Sequence, residues 1–378
     1  MQDWLVPLSD VRFSAEEVEA VADVYRSGWL SQGPRVAAFE AAFAEYLGCR
    51  HAVAVANGTA ALHLICVAIG LGPGDEVVLP SLTFAATAAA VAQTGAIPVF
   101  ADIRSPAEPW LSTEAVAAAI GLRTRAIVNV AYAGHPGELG ELRELASGHG
   151  LPLIEDAAHA LGSRLGERSV GTIGDAAAFS FFANKNMPLG EGGMLVTDDA
   201  AIAERARLLR SHGLTSDTWA RHRGDQVDYD VVAPGFNYRL DEPRAALGSL
   251  LLRRVPENND RRAVLAGRYS DAIESVDVVA AAIAPTAGIT NAWHVYPLLL
   301  DDHLDRPAFR ARLRAAGVQT SVHYPPLHLT RAYATAAAYP LAATENYARR
   351  TVTVPLFPHM TDTQQSRVIG VITETLTQ

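Results

Sequence analysis

Lysine is nearly missing from this chain. Its 378 residues include 30 arginines but a single lysine, Lys185, in the stretch FFANKNMPLGEGG from Phe181 to Gly193. An arginine guanidinium keeps its charge in proteins, so arginine can replace lysine wherever only positive charge is wanted. It cannot supply a deprotonated primary amine, the group that attacks a carbonyl carbon. Either codon usage rich in arginine left one lysine by chance, or Lys185 is a Schiff-base residue.

Other scarcities exclude whole classes. Cys49 and Cys66 are the only cysteines, too few and too irregularly placed for a disulfide framework or a zinc site, so no metal is expected. Long apolar runs are absent: AATAAAVAQTGA, from Ala85, is too short and too interrupted to cross a bilayer. The start, MQDWLVPLSD, has neither a basic beginning nor an apolar core, so no secretion signal is expected and the setting reads as cytoplasmic and reducing. Positive charge is in deficit at a net −10, which argues against nucleic acid or an anionic membrane as partner. No basic helix-turn-helix pattern is present either. An anionic small molecule stays compatible, because a pocket can reverse the global sign locally. RSHGLTSDTWARHRGD, from Arg210 to Asp225, reads as a solvated loop or as such an anion-binding stretch.

What is present has the texture of a layered α/β protein. Hydrophobic residues make up 49% and charged residues 19%, a globular composition, and the length favours two domains. Seven short apolar runs read as strands: AVAVAN (from Ala52), EVVLP (Glu76), IPVFAD (Ile97), AIVNVAY (Ala126), LPLIEDA (Leu151), AAAFSFF (Ala176) and GMLVTDD (Gly193). The helical stretches TAALHLICVAIG, FAATAAAVAQTG, STEAVAAAIG and ELGELRELASGHG lie between the early strands, and each ends in glycine, the usual left-handed stop. This alternation predicts a largely parallel sheet, with the last two strands antiparallel because only NKNMPLGEGG joins them. A large α/β domain is placed over residues 1–250, including the N-terminal segment. A smaller α+β domain is placed over 251–378, with a helix-like RRAVLAGRYSDAI, a strand-like WHVYPLLLD, an amphipathic RPAFRARLRAAG and a terminal helix from Thr361.

Ligands of open parallel sheets sit beyond the carboxyl ends of the strands. Asn57, Gly58, Thr59 and Ala60 follow the first strand and open a helix, either an ordinary turn or a phosphate site. Asp156 ends the fifth strand and needs a cationic partner, whether a structural arginine or something else. His159 follows it, and Ser180 and Lys185 lie at and beyond the sixth. Taken jointly, a phosphate site, a carboxylate and an amine are what pyridoxal 5'-phosphate requires.

GWLSQGP, NGTAALHL, PSLTFAAT, EDAAHALGS, FSFFANKNMPLGEGG and GFNYRLDEPRAALG occur in this order, followed by HYPPLH and VPLFP. Together they resemble the DegT/DnrJ/StrS family of pyridoxal-phosphate-dependent nucleotide-sugar aminotransferases, from about Val6 to the final helix. The resemblance implies the aspartate-aminotransferase-like fold (fold type I). It implies Lys185 as the Schiff-base and proton-transfer residue, and Asp156 on the ring nitrogen. Gly58, Thr59, Ala60 and Ser180 would hold the phosphate, Phe84 would stack on the ring, and His159 would sit near the ring hydroxyl. Asn237 would reach the phosphate from the other subunit of a homodimer. Arg210, His212, Arg221 and Arg223 are candidates for diphosphate or sugar contacts, with His323 and His328 near the sugar. Phe182 stands where many members have histidine, so no polar role is assigned there. The expected reaction moves an amino group from L-glutamate to a nucleotide-linked ketosugar, at C4 of a dTDP-4-keto-6-deoxyhexose. The cofactor would pass through its pyridoxamine 5'-phosphate form. Amination at C3, a cyclitol ketone as acceptor, a related sugar dehydratase and a non-catalytic regulatory protein are the alternatives. The dehydratases carry histidine in place of the lysine.

Overall fold

The computed structural model describes residues 4–216, 218–224, 228–274, 276, 278–334 and 340–376. Seven strands form the central sheet: β1 (His51–Val55), β2 (Glu76–Pro80), β3 (Ile97–Ala101), β4 (Thr124–Val130), β5 (Leu153–Asp156), β6 (Ala176–Ser180) and β7 (Gly193–Thr197). They are the seven runs expected from the sequence. Their order is β1-β7-β6-β5-β4-β2-β3. Only β7 runs against its neighbours, with Ala176 opposite Thr197 on one side and His51 opposite Thr197 on the other. The antiparallel β6–β7 pair follows from their short connection. The β1–β7 pairing has no local signature, because it joins residues far apart in the chain.

Side chains alternate across each strand, and both faces of this sheet are apolar. Ala52, Ala54 and Val78 enter one buried cluster with Phe39, Phe43 and Leu142. Val53, Val55, Val77 and Leu79 enter another with Leu64, Ile65 and Val91. Strands covered on both faces read as continuous apolar runs for this reason. Three of the four expected glycine stops are left-handed, at Gly70, Gly95 and Gly150. Gly121 is not: the helix Thr113–Ala119 ends instead with Ile120 extended.

A helix of 32 residues, Glu242–Ile273, continues through Pro256 and passes residue 250 without a break. Asp241 caps it by accepting from the Arg244 N–H at 3.0 Å. Its first half packs Ala245, Leu251 and Val255 into the core of the large sheet. Its second half packs Leu265, Ala266, Tyr269 and Ile273 into a third cluster, beside the antiparallel strands Val279–Ala281, Tyr296–Leu300 and Thr351–Val354. Val6 pairs with Val318 and is buried in this third cluster rather than under the large sheet.

Candidate active site

The carboxyl ends of β1, β5 and β6 open on a cavity of about 430 Å³, whose lining includes Gly58, Thr59, Phe84, Asp156, His159, Ser180, Lys185 and His323. On one wall of it, the helix Gly58–Ala68 begins with Asn57 as cap, whose Oδ1 accepts from the Ala60 N–H at 2.8 Å. That bond removes Ala60 from the expected phosphate ligands. Its amide is committed to the cap and its side chain is buried outside the cavity lining. Gly58 and Thr59 occupy the first helical positions, whose amides have no partner within a helix. A β-carbon on Gly58 would lie 2.9 Å from that of Ser180, so the helix start and the Ser180 hydroxyl come together only because residue 58 is glycine. Backbone N–H groups, a helix dipole and a hydroxyl converge there, the chemistry a phosphate needs.

Asp156 lies across the cavity, buried at the end of β5. One carboxylate oxygen accepts from Thr87 Oγ1 at 2.6 Å, and the other from the Ala158 N–H at 3.2 Å. Thr87 in turn accepts from Thr83 at 2.7 Å, since its own proton is given to the carboxylate. Among the described residues no arginine pairs with Asp156; the one cation that acts on it is Lys185. Burial raises the carboxyl's pKa, while the hydrogen bonds and the Lys185 charge oppose that shift. Lys185 is lowered to about 8 by burial, with Asp156 pulling the other way. A carboxylate buried without an arginine is costly, and the arrangement leaves it facing a ligand-sized space that a protonated ring nitrogen can fill.

Phe84 stands at the N-cap of the helix Ala85–Ala92, is 61% exposed and lines the cavity, an apolar ring available to a flat ligand. His159 is buried, and its neutral form is favoured by burial and by the Lys185 charge. His323 donates or accepts at Thr353 Oγ1, 2.8 Å away, and burial lowers its pKa to about 4. Tyr324, Thr83, Asn184, Phe182 and Glu191 also line the space. Sequence reasoning assigned them no function, and Thr87, which holds Asp156, was missed as well. Thr83 precedes the cap of the helix Ala85–Ala92 while Thr87 lies within its first turn, so no helical spacing in PSLTFAAT announced their bond.

Two expected substrate residues are corrected by their partners. Arg210 is 4% exposed, bonded to Glu40 at 2.5 Å and to the Ala54 carbonyl at 2.6 Å, so it ties the helix Ala200–Arg210 to β1. His328 is buried, with Nδ1 at 2.7 Å from Ser81 Oγ and Nε2 at 3.4 Å from Glu345, outside the cavity lining. His212 is exposed. Arg221 donates to the carbonyl and hydroxyl of Ser216 at 2.6 and 2.9 Å, and Arg223 lies 5.8 Å from the Trp219 ring. Asn237 is exposed and forms a bridge with Ser211. None of these last four lines the cavity of its own chain. Asp217 and Asp225 of the same stretch lie outside the described residues.

A doubly covered sheet with this strand order, a buried amine facing a buried carboxylate, and a helix start built for phosphate define a pyridoxal-phosphate enzyme of the aspartate-aminotransferase fold. Residues 12–373 match the DegT/DnrJ/EryC1/StrS aminotransferase family, and the chain belongs to it. It is 38% identical to the spore coat polysaccharide biosynthesis protein SpsC of Bacillus subtilis, over 98% of this chain and 97% of that protein. The aminotransferase TlmJ of Streptoalloteichus hindustanus is 38% identical, with a TM-score of 0.92 over 98% of this chain and 99% of TlmJ. A putative sugar aminotransferase of Streptococcus pneumoniae, Spr1654, was solved in both cofactor forms. Its PMP form is 26% identical with a TM-score of 0.91, covering 98% of this chain and all of that one. Its PLP form is 25% identical with a TM-score of 0.90, covering 98% and 99%. The protein is a sugar aminotransferase, and its cofactor is pyridoxal 5'-phosphate. No helix among the described residues is long and apolar enough to cross a membrane.

Proposed function

We propose that the enzyme transfers the amino group of L-glutamate to a nucleoside-diphosphate-linked ketosugar, at C4 of a dTDP-4-keto-6-deoxyhexose. The observation that carries the reading is the buried pair of Lys185 and Asp156 in one cavity, with the lysine intact and no arginine on the carboxylate among the described residues. Bound pyridoxal phosphate supplies an electron sink for the carbon that loses or gains a proton. Asp156, fixed by Thr87 and the Ala158 amide, holds the ring nitrogen protonated. Gly58, Thr59 and Ser180 bind the phosphate, and Phe84 supports the ring face. Lys185 Nζ, neutral in a substantial fraction near pH 8, takes the proton from the donor carbon and returns one to the sugar carbon. Glutamate leaves as 2-oxoglutarate. SFFANKN together with SHGLTSDTWARHRG resembles members that aminate C4, which supports the regiochemistry. The exposed position of Asn237 supports its use by a second copy, in a homodimer with shared sites.

The test is a panel of nucleotide ketosugars incubated with glutamate, with the product carbon assigned by NMR. Nitrogen is expected at C4 of the 4-keto-6-deoxy sugar. Nitrogen at C3, or turnover restricted to a free cyclitol ketone, overturns the substrate assignment and leaves the class standing.

A further inference from the structure

The resemblance that brought His159 to the ring hydroxyl assumes that one of its nitrogens is free to face the ligand. In the structure both are engaged. The Ala133 backbone N–H donates to Nδ1 at 3.3 Å, and Nε2 lies 2.9 Å from the Tyr324 hydroxyl. Nδ1 is therefore an acceptor and carries no proton. A neutral imidazole has one N–H, which must be on Nε2, so His159 donates to Tyr324 Oη. The opposite direction would make both ring nitrogens acceptors, which neither a neutral nor a protonated imidazole can be.

This fixes where the remaining hydrogen goes. Tyr324 Oη spends a lone pair on His159 and keeps its own O–H, for which the structure gives no acceptor among the described residues. Tyr324 lines the cavity with Asp156 and Lys185, and its ring lies 5.9 Å from that of Phe84. We infer that Tyr324, not His159, is the group that donates a hydrogen bond to the cofactor's ring oxygen, with His159 as the positioning residue that orients the phenol. A flat ligand resting on Phe84 with its ring nitrogen at Asp156 carries one anionic oxygen on its ring, and the free O–H belongs to the wall that meets the same space. The phenol stays protonated, because burial and the Asp156 charge both raise its pKa.

The inference rests on the assignment of Lys185 and Asp156 to the cofactor, and its test separates the two. Borohydride reduction of the loaded enzyme must label Lys185; labelling elsewhere removes that assignment and this inference together. With labelling established, the absorbance of the lysine-bound cofactor is titrated with pH, without substrate. A donor on the ring oxygen draws charge from it and weakens its hold on the neighbouring Schiff-base proton. Tyr324→Phe should therefore raise the spectral midpoint by about one pH unit. His159→Gln keeps an acceptor for Ala133 and a donor for Tyr324, so its midpoint should stay near that of the wild type. His159→Leu, which frees the phenol, should move it. An unmoved midpoint in Tyr324→Phe overturns the proposal. So does a shift in His159→Leu with none in Tyr324→Phe, the pattern of a histidine that itself donates to the ring oxygen. Should Tyr324→Phe fail to retain cofactor, Tyr324→3-fluorotyrosine takes its place: its more acidic phenol should lower the midpoint, and an unmoved midpoint overturns the proposal.

Discussion

Asp156 and Lys185 illustrate how one buried cavity acts oppositely on an acid and a base. Desolvation penalises whichever form is charged, so the carboxyl rises and the ammonium falls, while their mutual attraction opposes both shifts. For Lys185 desolvation dominates and the amine titrates at about 8. Below that pH it is protonated and cannot attack the cofactor's aldehyde. The rate at which cofactor-free protein captures pyridoxal phosphate should rise with pH through about 8, as measured by stopped-flow absorbance. A midpoint near the ordinary lysine value would contradict the burial. Asp156→Asn removes the opposing charge, so the capture midpoint should move lower still. Turnover in that variant should fall by about 100-fold or more, because the ring nitrogen loses the anion that keeps it protonated. Near-normal turnover with an intact fold would mean that another group protonates the ring. At this scale the sequence was legible where chemistry made a residue unusual. Lys185 was unique, and Asp156 was a carboxylate closing an apolar strand. It was illegible where partners lie far along the chain. Arg210 is neutralised by Glu40 and His328 is held by Ser81, contacts that no local pattern announces.

Between the residues and the site stand two elements whose approach depends on glycine. β7 begins at Gly193, against the turn that leads into the helix Gly58–Ala68. A β-carbon there would lie 2.5 Å from both the carbonyl carbon and oxygen of Asn57, and 2.8 Å from the Gly58 nitrogen. These are backbone atoms, which cannot swing aside as a side chain can. Gly193→Ala should push the helix start off the phosphate position. Overpacking of this kind costs roughly 1–3 kcal/mol, so cofactor affinity should weaken by about 10-fold or more. Equilibrium dialysis with pyridoxal phosphate measures the loss, and far-UV circular dichroism should remain that of the native protein. Unchanged affinity would show that the turn relaxes without moving its amides. All seven central strands were readable, because burial on both faces leaves short, nearly uninterrupted apolar runs. The helix Glu242–Ile273 was recognised only in its second half. Pro256 and a run of polar residues interrupt its pattern, and tertiary packing on two cores carries it through them.

At the scale of the whole molecule, the cavity of one chain leaves Phe84 61% and Phe182 46% exposed, while Asn237 lies on the surface outside that cavity's lining. In the proposed homodimer a two-fold axis makes the interface isologous, so each site takes Lys185 from one chain and Asn237 from the other. The arrangement has a consequence that mixing can expose. Lys185→Ala chains are combined with a severe Asn237 variant, such as Asn237→Arg, and heterodimers are isolated through distinct affinity tags. If the sites are shared, one site per heterodimer collects both lesions and the other has neither. Activity should then return to about half that of the wild type. If both residues serve the site of their own chain, every site is damaged and no activity returns. The Asn237 homodimer must itself be clearly impaired, since a mild variant would imitate rescue without any sharing. Verified heterodimers that stay inactive would place Asn237 in the site of its own chain, against its exposed position here.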